Sequence, residues 1–228
     1  MLTHRGFSAW IVVDGKEVPE HLVAVDIDAN RVSCWIPGEE GQRFSVYWKD
    51  HGGRIDTCAF ITLDGFVVPG RFLFGEGVAC REGVRTSRTT ERPFIFQKVH
   101  DEATSTMQAM AKDAGMIALR IKRITRVASK PANALQSLPS AVLGKRKAGD
   151  LFGEEAPAFE QYSSTWSVKP YGQNGPSCKE PKTYVSFVFR YRTREFLEAQ
   201  GIIPESAVRP PQRPLIALRL AFPIKRRK

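Results

Sequence analysis

The sequence predicts a mainly all-β chain, an antiparallel β-sandwich or jelly-roll-like fold with one short helix near the C-terminus and a long disordered insertion. Three observations predict it. Over the first 128 residues, β-rich runs alternate with turn signals about every ten residues, the rhythm of a sandwich rather than of βαβ units. From Ser129 to about Lys182 the apolar period disappears, and Pro, Ser, Ala, Gly and Lys take over. Order resumes in "TYVSFVFRYR", which puts Val185, Phe187, Phe189 and Tyr191 on one face of an extended chain and Tyr184, Ser186, Val188, Arg190 and Arg192 on the other.

The strand runs, in order, are Phe7 to Val13, Leu22 to Asp28, Arg31 to Ile36, Arg43 to Trp48, Thr57 to Leu63, Phe66 to Phe74 and Phe94 to Val99. Asp14-Gly15, Ala29-Asn30, Pro37-Gly38, Gly52-Gly53 and Asp64-Gly65 punctuate them. Asp14-Gly15 and Asp64-Gly65 are the clearest hairpin signals, because Asp and Gly tolerate the positive φ that a two-residue hairpin loop needs. "DEATSTMQAMAKDAG" has weak helical spacing, a short helix or a loop. Met116 to Ile121 sets Ile117, Leu119 and Ile121 against Ala118, Arg120 and Lys122; Arg123 then falls where an apolar residue is due, predicting a bulge or strand end near Lys122. "TREFLEAQGII" predicts the helix, with Thr193 as N-cap and Gly201 as its stop.

A lone strand is not stable. Residues 183–205 are therefore expected to complete the β-sandwich of residues 1–128. That makes residues 129–182 a disordered basic and aromatic insertion inside one domain, and residues 206–228 a Pro-rich and basic tail. No repeat period of a solenoid or propeller is present.

The stretches "CWIPGEEGQRFSVYWKD", "LDGFVVPGRFLFG", "VRTSRTTERPFIFQKV", "GMIALRIKRI" and "SFVFRYRTREFLEAQGIIP" occur in that order. Together they resemble an uncharacterised family common in mushroom-forming fungi and classified only as a domain of unknown function. The resemblance spans roughly residues 1–205. It implies a β-rich fold followed by a variable, often charged tail, and it brings no catalytic residue with it.

Composition sets further bounds. The 228 residues are 42% hydrophobic and 25% charged, values of a soluble globular protein. Asp64 interrupts "AFITLDGFVV" and Arg219 interrupts "PLIALRLAFPI", so no run is long enough for a membrane helix and no membrane association is expected. The opening "MLTHRGFSAWIVVDG" has the outline of a signal peptide but no small-x-small cleavage site. The four cysteines are widely spaced and no Asn-x-Ser/Thr site is present, which points to a reducing, intracellular compartment. The net charge of +10 is uneven: up to Ser129 there are 17 Lys+Arg against 16 Asp+Glu, and beyond it 17 against 8.

No enzyme signature survives inspection. Gly70 and Gly75 in "GRFLFGEG" have phosphate-loop spacing, but Glu76 stands where the lysine is needed. Asp26, Asp28 and Asn30 imitate calcium ligands, yet Arg31 and Pro37 occupy the positions that need Gly and Glu. There is no Gly-x-Ser-x-Gly, His-Glu-x-x-His or Cys-x-x-Cys. No catalytic residue, metal ligand or cofactor is therefore assigned, and the scattered Cys and His read as core and surface residues.

What remains is basic. In "VRTSRTTERPF", Thr86, Arg88, Thr90 and Arg92 alternate as though along one strand face and, with Arg85, suit phosphate or carboxylate recognition, or else a charged edge that discourages aggregation. Arg120 and Lys122 would join Arg190 and Arg192, with Arg194 just beyond, in one cationic face if their strands were neighbours, and Tyr184 would offer a ring for stacking on a base. Lys145, Arg146 and Lys147, and again Lys225, Arg226, Arg227 and Lys228, have the composition of clusters read by a nuclear import receptor. Leu151, Phe152, Phe159, Tyr162 and Trp166 would dock into a partner's groove or fold back on their own sheet.

The leading expectation is a non-enzymatic, intracellular, nuclear interaction module whose partner is another protein. Two alternatives stand beside it. One is a nucleic-acid binder using the basic sheet face and tether; the other is a hydrolase or carbohydrate-binding jelly roll. The sequence leaves the oligomeric state undetermined.

Overall fold

The structure is a computed structural model that describes residues 1–97, 114–135, 142–143, 146–147, 152–172 and 180–204. Short antiparallel connections build its first half. β1 (Leu2–His4), β2 (Phe7–Val13) and β3 (Lys16–Glu17) are followed by β4 (His21–Asp26), β5 (Arg31–Pro37) and β6 (Ser45–Asp50). Then come β7 (Asp56–Leu63), β8 (Phe66–Phe74), β9 (Gly77–Arg81), β10 (Gly83–Arg85) and β11 (Thr90–Pro93). The second half carries β12 (Met116–Pro131), the two-residue pair β13 (Val142–Leu143) and β14 (Arg146–Lys147), and β15 (Ala156–Pro157). It closes with β16 (Ser164–Pro170), β17 (Thr183–Arg192) and α1 (Arg194–Ala199). Asp14 and Gly15 have φ of 49° and 74°, and Asp64 and Gly65 have 47° and 90°, as a two-residue hairpin loop requires.

Two sheets share one core. The smaller has the order β1-β2-β6-β9, with β3 on β2; the larger has the order β4-β5-β17-β12-β7-β8, with β16 on β12. Alternation along each strand sends one set of side chains inward. From the smaller sheet come Phe7, Ala9, Ile11, Val46 and Trp48, and from the larger Val32, Cys34, Ile36, Ile61, Leu119, Phe187 and Phe189, all in one buried cluster. Full burial of an aliphatic or aromatic side chain stabilises by about 1.5–3 kcal/mol. This strip of alternate residues is what closes the sandwich.

Several expectations are corrected. The larger sheet is mixed, because β17 pairs with β5 in parallel, from Ser186↔Arg31 to Arg192↔Pro37. Parallel pairing needs a long connection, and the chain between β5 and β17 is long enough to arrive from either end. The strand starting at Met116 neither ends nor breaks its register with β7 near Lys122; the register shift there is with β17, which carries the extra residue Tyr184, and β12 runs on to Pro131. There it pairs with β16 from Ile124↔Pro170 to Pro131↔Ser164.

Part of the stretch expected to be a disordered insertion is thus strand. Linker-like composition reports side-chain burial, whereas a two-stranded ribbon is held by backbone hydrogen bonds that composition does not register. Among the described residues of the run from Phe94 to Val99, Phe94 and Ile95 make isolated bridges; Lys98, Val99, "DEATSTMQAMAKD" and the basic tail lie outside the described residues.

Candidate nucleic-acid interface

The outward face of the larger sheet follows from its register. Across β17 and β12 the partners are Met116↔Arg190, Ala118↔Val188 and Arg120↔Ser186. Since Phe187 and Phe189 face the core, Arg190 and Arg192 face out, on the same side as Arg120 and Lys122. The strands expected to be neighbours are neighbours. The register on either side adds two rings that sequence reasoning missed: Trp35 of β5 stands beside Arg190, and Phe60 of β7 beside Arg120.

The resulting patch interleaves cations and rings. The Arg190 and Arg192 guanidinium carbons each lie 5.7 Å from the Trp35 ring centre, and Arg192 lies 5.8 Å from that of Phe196 on α1. The Lys122 ammonium is 4.9 Å from the Phe60 ring centre. Arg120 donates to Thr62 Oγ1 at 2.7 Å, which fixes its direction across the sheet. At the margin, Asp26 holds Arg31 at 2.7 Å, and Asp56 holds Arg126 at 2.6 Å. Arg194 turns away into α1, where its Nε pairs with Glu198 at 2.8 Å.

Tyr184 is not part of this face. It falls at the β12–β17 register shift, packs partly buried against the core, and is edge-on to Phe7 at 6.1 Å. Its ring lies 3.8 Å from the Arg5 guanidinium and 3.5 Å from that of Arg123. As the extra residue of the bulge, Tyr184 leaves the outward face on which plain alternation would put it and meets Arg123, which keeps the phase of Leu119 and Ile121.

The other basic constellation is already occupied. Thr86 and Arg88 lie in the turn between β10 and β11 and Thr90 and Arg92 lie on β11, so the four do not line one strand face as expected. The Thr86 hydroxyl donates to Glu155 Oε1, and Thr90 Oγ1 donates to the same atom at 2.5 Å. Arg92 Nε donates to the Gly153 carbonyl at 2.8 Å, and Arg85 Nη1 donates to the Arg88 carbonyl at 3.1 Å. The array does recognise a carboxylate, but one from its own chain.

Of the expected docking residues, Phe152 is a core residue, 2% exposed, against Phe66 and Phe94 at ring distances of 5.6 and 6.1 Å. Phe159 is 92% and Tyr162 82% exposed. Trp166 lies half-buried on β16, 5.1 Å from the Arg126 guanidinium. Leu151, Lys145 and residues 225–228 lie outside the described residues, while Arg146 and Lys147 form the backbone of β14.

The sequence pattern of the Domain of unknown function (DUF7918) matches residues 6–206. The chain belongs to this family. No curated protein and no solved structure matches the chain.

In this DUF7918 domain two of the cysteines, Cys34 and Cys58, are buried. Burial pushes the Cys34 thiol up to about 12 and the Cys58 thiol up to about 11, so neither is a ready thiolate. Ser8 Oγ lies 2.7 Å from His51 Nε2, a pair that sequence separation concealed, but Ser8 is fully buried and its hydroxyl is also 2.7 Å from Thr3 Oγ1. Among the described residues, no group of three or more His, Cys, Asp and Glu is placed to hold a metal ion, and no helix is long and apolar enough to cross a membrane.

Proposed function

We propose that this domain is a non-enzymatic binding module that takes single-stranded nucleic acid on the outward face of its larger sheet. The observation that carries the reading is the register that sets Arg120, Lys122, Arg190 and Arg192 around Trp35 and Phe60. Cations neutralise phosphates, and rings accept unpaired bases, each stacked base contributing about 1–3 kcal/mol. The module works inside the nucleus of a fungus, with residues 145–147 and 225–228 as its import clusters.

Fluorescence anisotropy with a labelled single-stranded oligonucleotide tests this. Affinity falls with added salt, with a log–log slope of about −3 for four phosphate contacts. Arg190→Glu with Arg192→Glu abolishes binding, and Trp35→Ala weakens it about tenfold or more. Binding insensitive to salt and to all three substitutions rejects the proposal.

A second reading, docking to a protein partner, is favoured by the exposed rings of Phe159 and Tyr162. Capture from nuclear extract that survives nuclease and is lost in Phe159→Ala with Tyr162→Ala selects it.

A further inference from the structure

We infer that β11 and the Thr86–Thr90 turn form a strand-addition site for an extended acidic peptide, and that residues 152–158 occupy it in cis as a self-ligand. This rests on contacts separate from the outward sheet face. Three kinds of recognition converge on the segment. The first is a main-chain ladder: Gly153 N donates to the Pro93 carbonyl at 2.8 Å, Ala156 and Pro157 pair with Glu91 and Thr90, and Ala158 N donates to the Thr89 carbonyl at 2.8 Å. The second is an aromatic anchor, Phe152, seated among Phe66 and Phe94.

The third is a carboxylate grip. The Thr86 and Thr90 hydroxyls both donate to Glu155, while Arg92 reaches the Gly153 carbonyl at 2.8 Å and the Phe152 carbonyl at 3.4 Å. Backbone pairing gives affinity without selectivity, whereas a pocket and a charge grip select side chains. The site therefore reads a glutamate three residues after an aromatic anchor, with an intervening small residue. A side chain at position 153 would meet Pro93, since a Cβ there comes within 3.0 Å of its ring.

The segment joins neither large sheet. It completes the three-stranded sheet β10-β11-β15 by adding at the edge of β11. Past the ladder Phe159 points into solvent, and Gln161 N donates to the Arg88 carbonyl at 2.9 Å, a further contact with the same turn. A peptide offering the same anchor and carboxylate from a second molecule meets the same groups.

The test uses a labelled peptide with the sequence of residues 150–161 and the full chain carrying Phe152→Ala and Glu155→Gln, which weakens the cis segment. The variant binds the peptide and the unaltered chain binds it at least about tenfold more weakly, as internal competition dictates. Replacing the peptide's Glu155 by Gln, or Thr86 and Thr90 of the receptor by Ala, lowers affinity about tenfold, the scale of a charge-assisted hydrogen bond. A folded variant that does not bind the peptide overturns the inference.

Should the variant fail to fold, native-state hydrogen exchange decides on the unaltered chain and on Glu155→Gln alone. The Gly153 and Ala158 amides then exchange by local opening, faster than that of Leu119, and about tenfold faster again in Glu155→Gln. Exchange of all three amides at one common rate makes the segment an inseparable part of the fold and overturns the inference.

Discussion

Glu155 shows how much depends on a single side chain. The hydroxyls of Thr86 and then Thr90 hold its carboxyl below the ordinary value of 4.5 because they donate to the ionised form. Since the folded value lies below the unfolded one, the contact is fully stabilising above the ordinary value and is lost as pH falls through the depressed one. An NMR titration of the Glu155 side-chain carbonyl carbon therefore has its midpoint below 4.5, and Thr86→Ala with Thr90→Ala raises it. The sequence marked these threonines and Arg92 as an anion grip. It did not say which anion, because the partner lies some sixty positions away. Likewise Arg120, Lys122, Arg190 and Arg192 were legible from period-two alternation, whereas Trp35 and Phe60 required a register that no local pattern encodes.

At the level of elements, signals that close within a few residues were the most readable. Helix α1 is one: the Thr193 hydroxyl accepts from Phe196 N at 3.4 Å, and Gly201, at φ 68°, ends the helix with its N–H bonded to the Glu198 carbonyl. Thr193→Ala lowers stability by about 1 kcal/mol in urea unfolding, since α1 loses a cap and keeps its buried Leu197. The break in apolar alternation at Arg123 misled, because β12 keeps its register with β7 there and the irregularity belongs to Tyr184 of β17. β16 was not readable. Its "STWSVKP" lacks a clean period and is a strand because β12 continues beyond β7 and β17 to meet it. Pairing partners, rather than intrinsic preference, decide such edge segments.

For the molecule as a whole, the governing fact is the position of β17, between β5 and β12. Its side chains Val185, Phe187 and Phe189 are fully buried in the shared core. Truncation after residue 182 removes them and separates β4 and β5 from the rest of the larger sheet. That fragment gives a collapsed amide NMR spectrum, while truncation after residue 204 retains the dispersed spectrum of the full chain. The sandwich class was visible in strand spacing and alternation. The parallel β5–β17 contact was not, because a chain returning after a long detour is free to enter in either direction.

A strand made late that belongs in the middle has a consequence for synthesis. While the ribosome is still reading the codons of the detour, β5 and β12 wait with bare edges, a slot one strand wide. Any passing extended segment with the right alternation can lodge there first. The growing polypeptide is thus most vulnerable to mispairing just before β17 emerges, and slowing translation at that point lengthens the exposure.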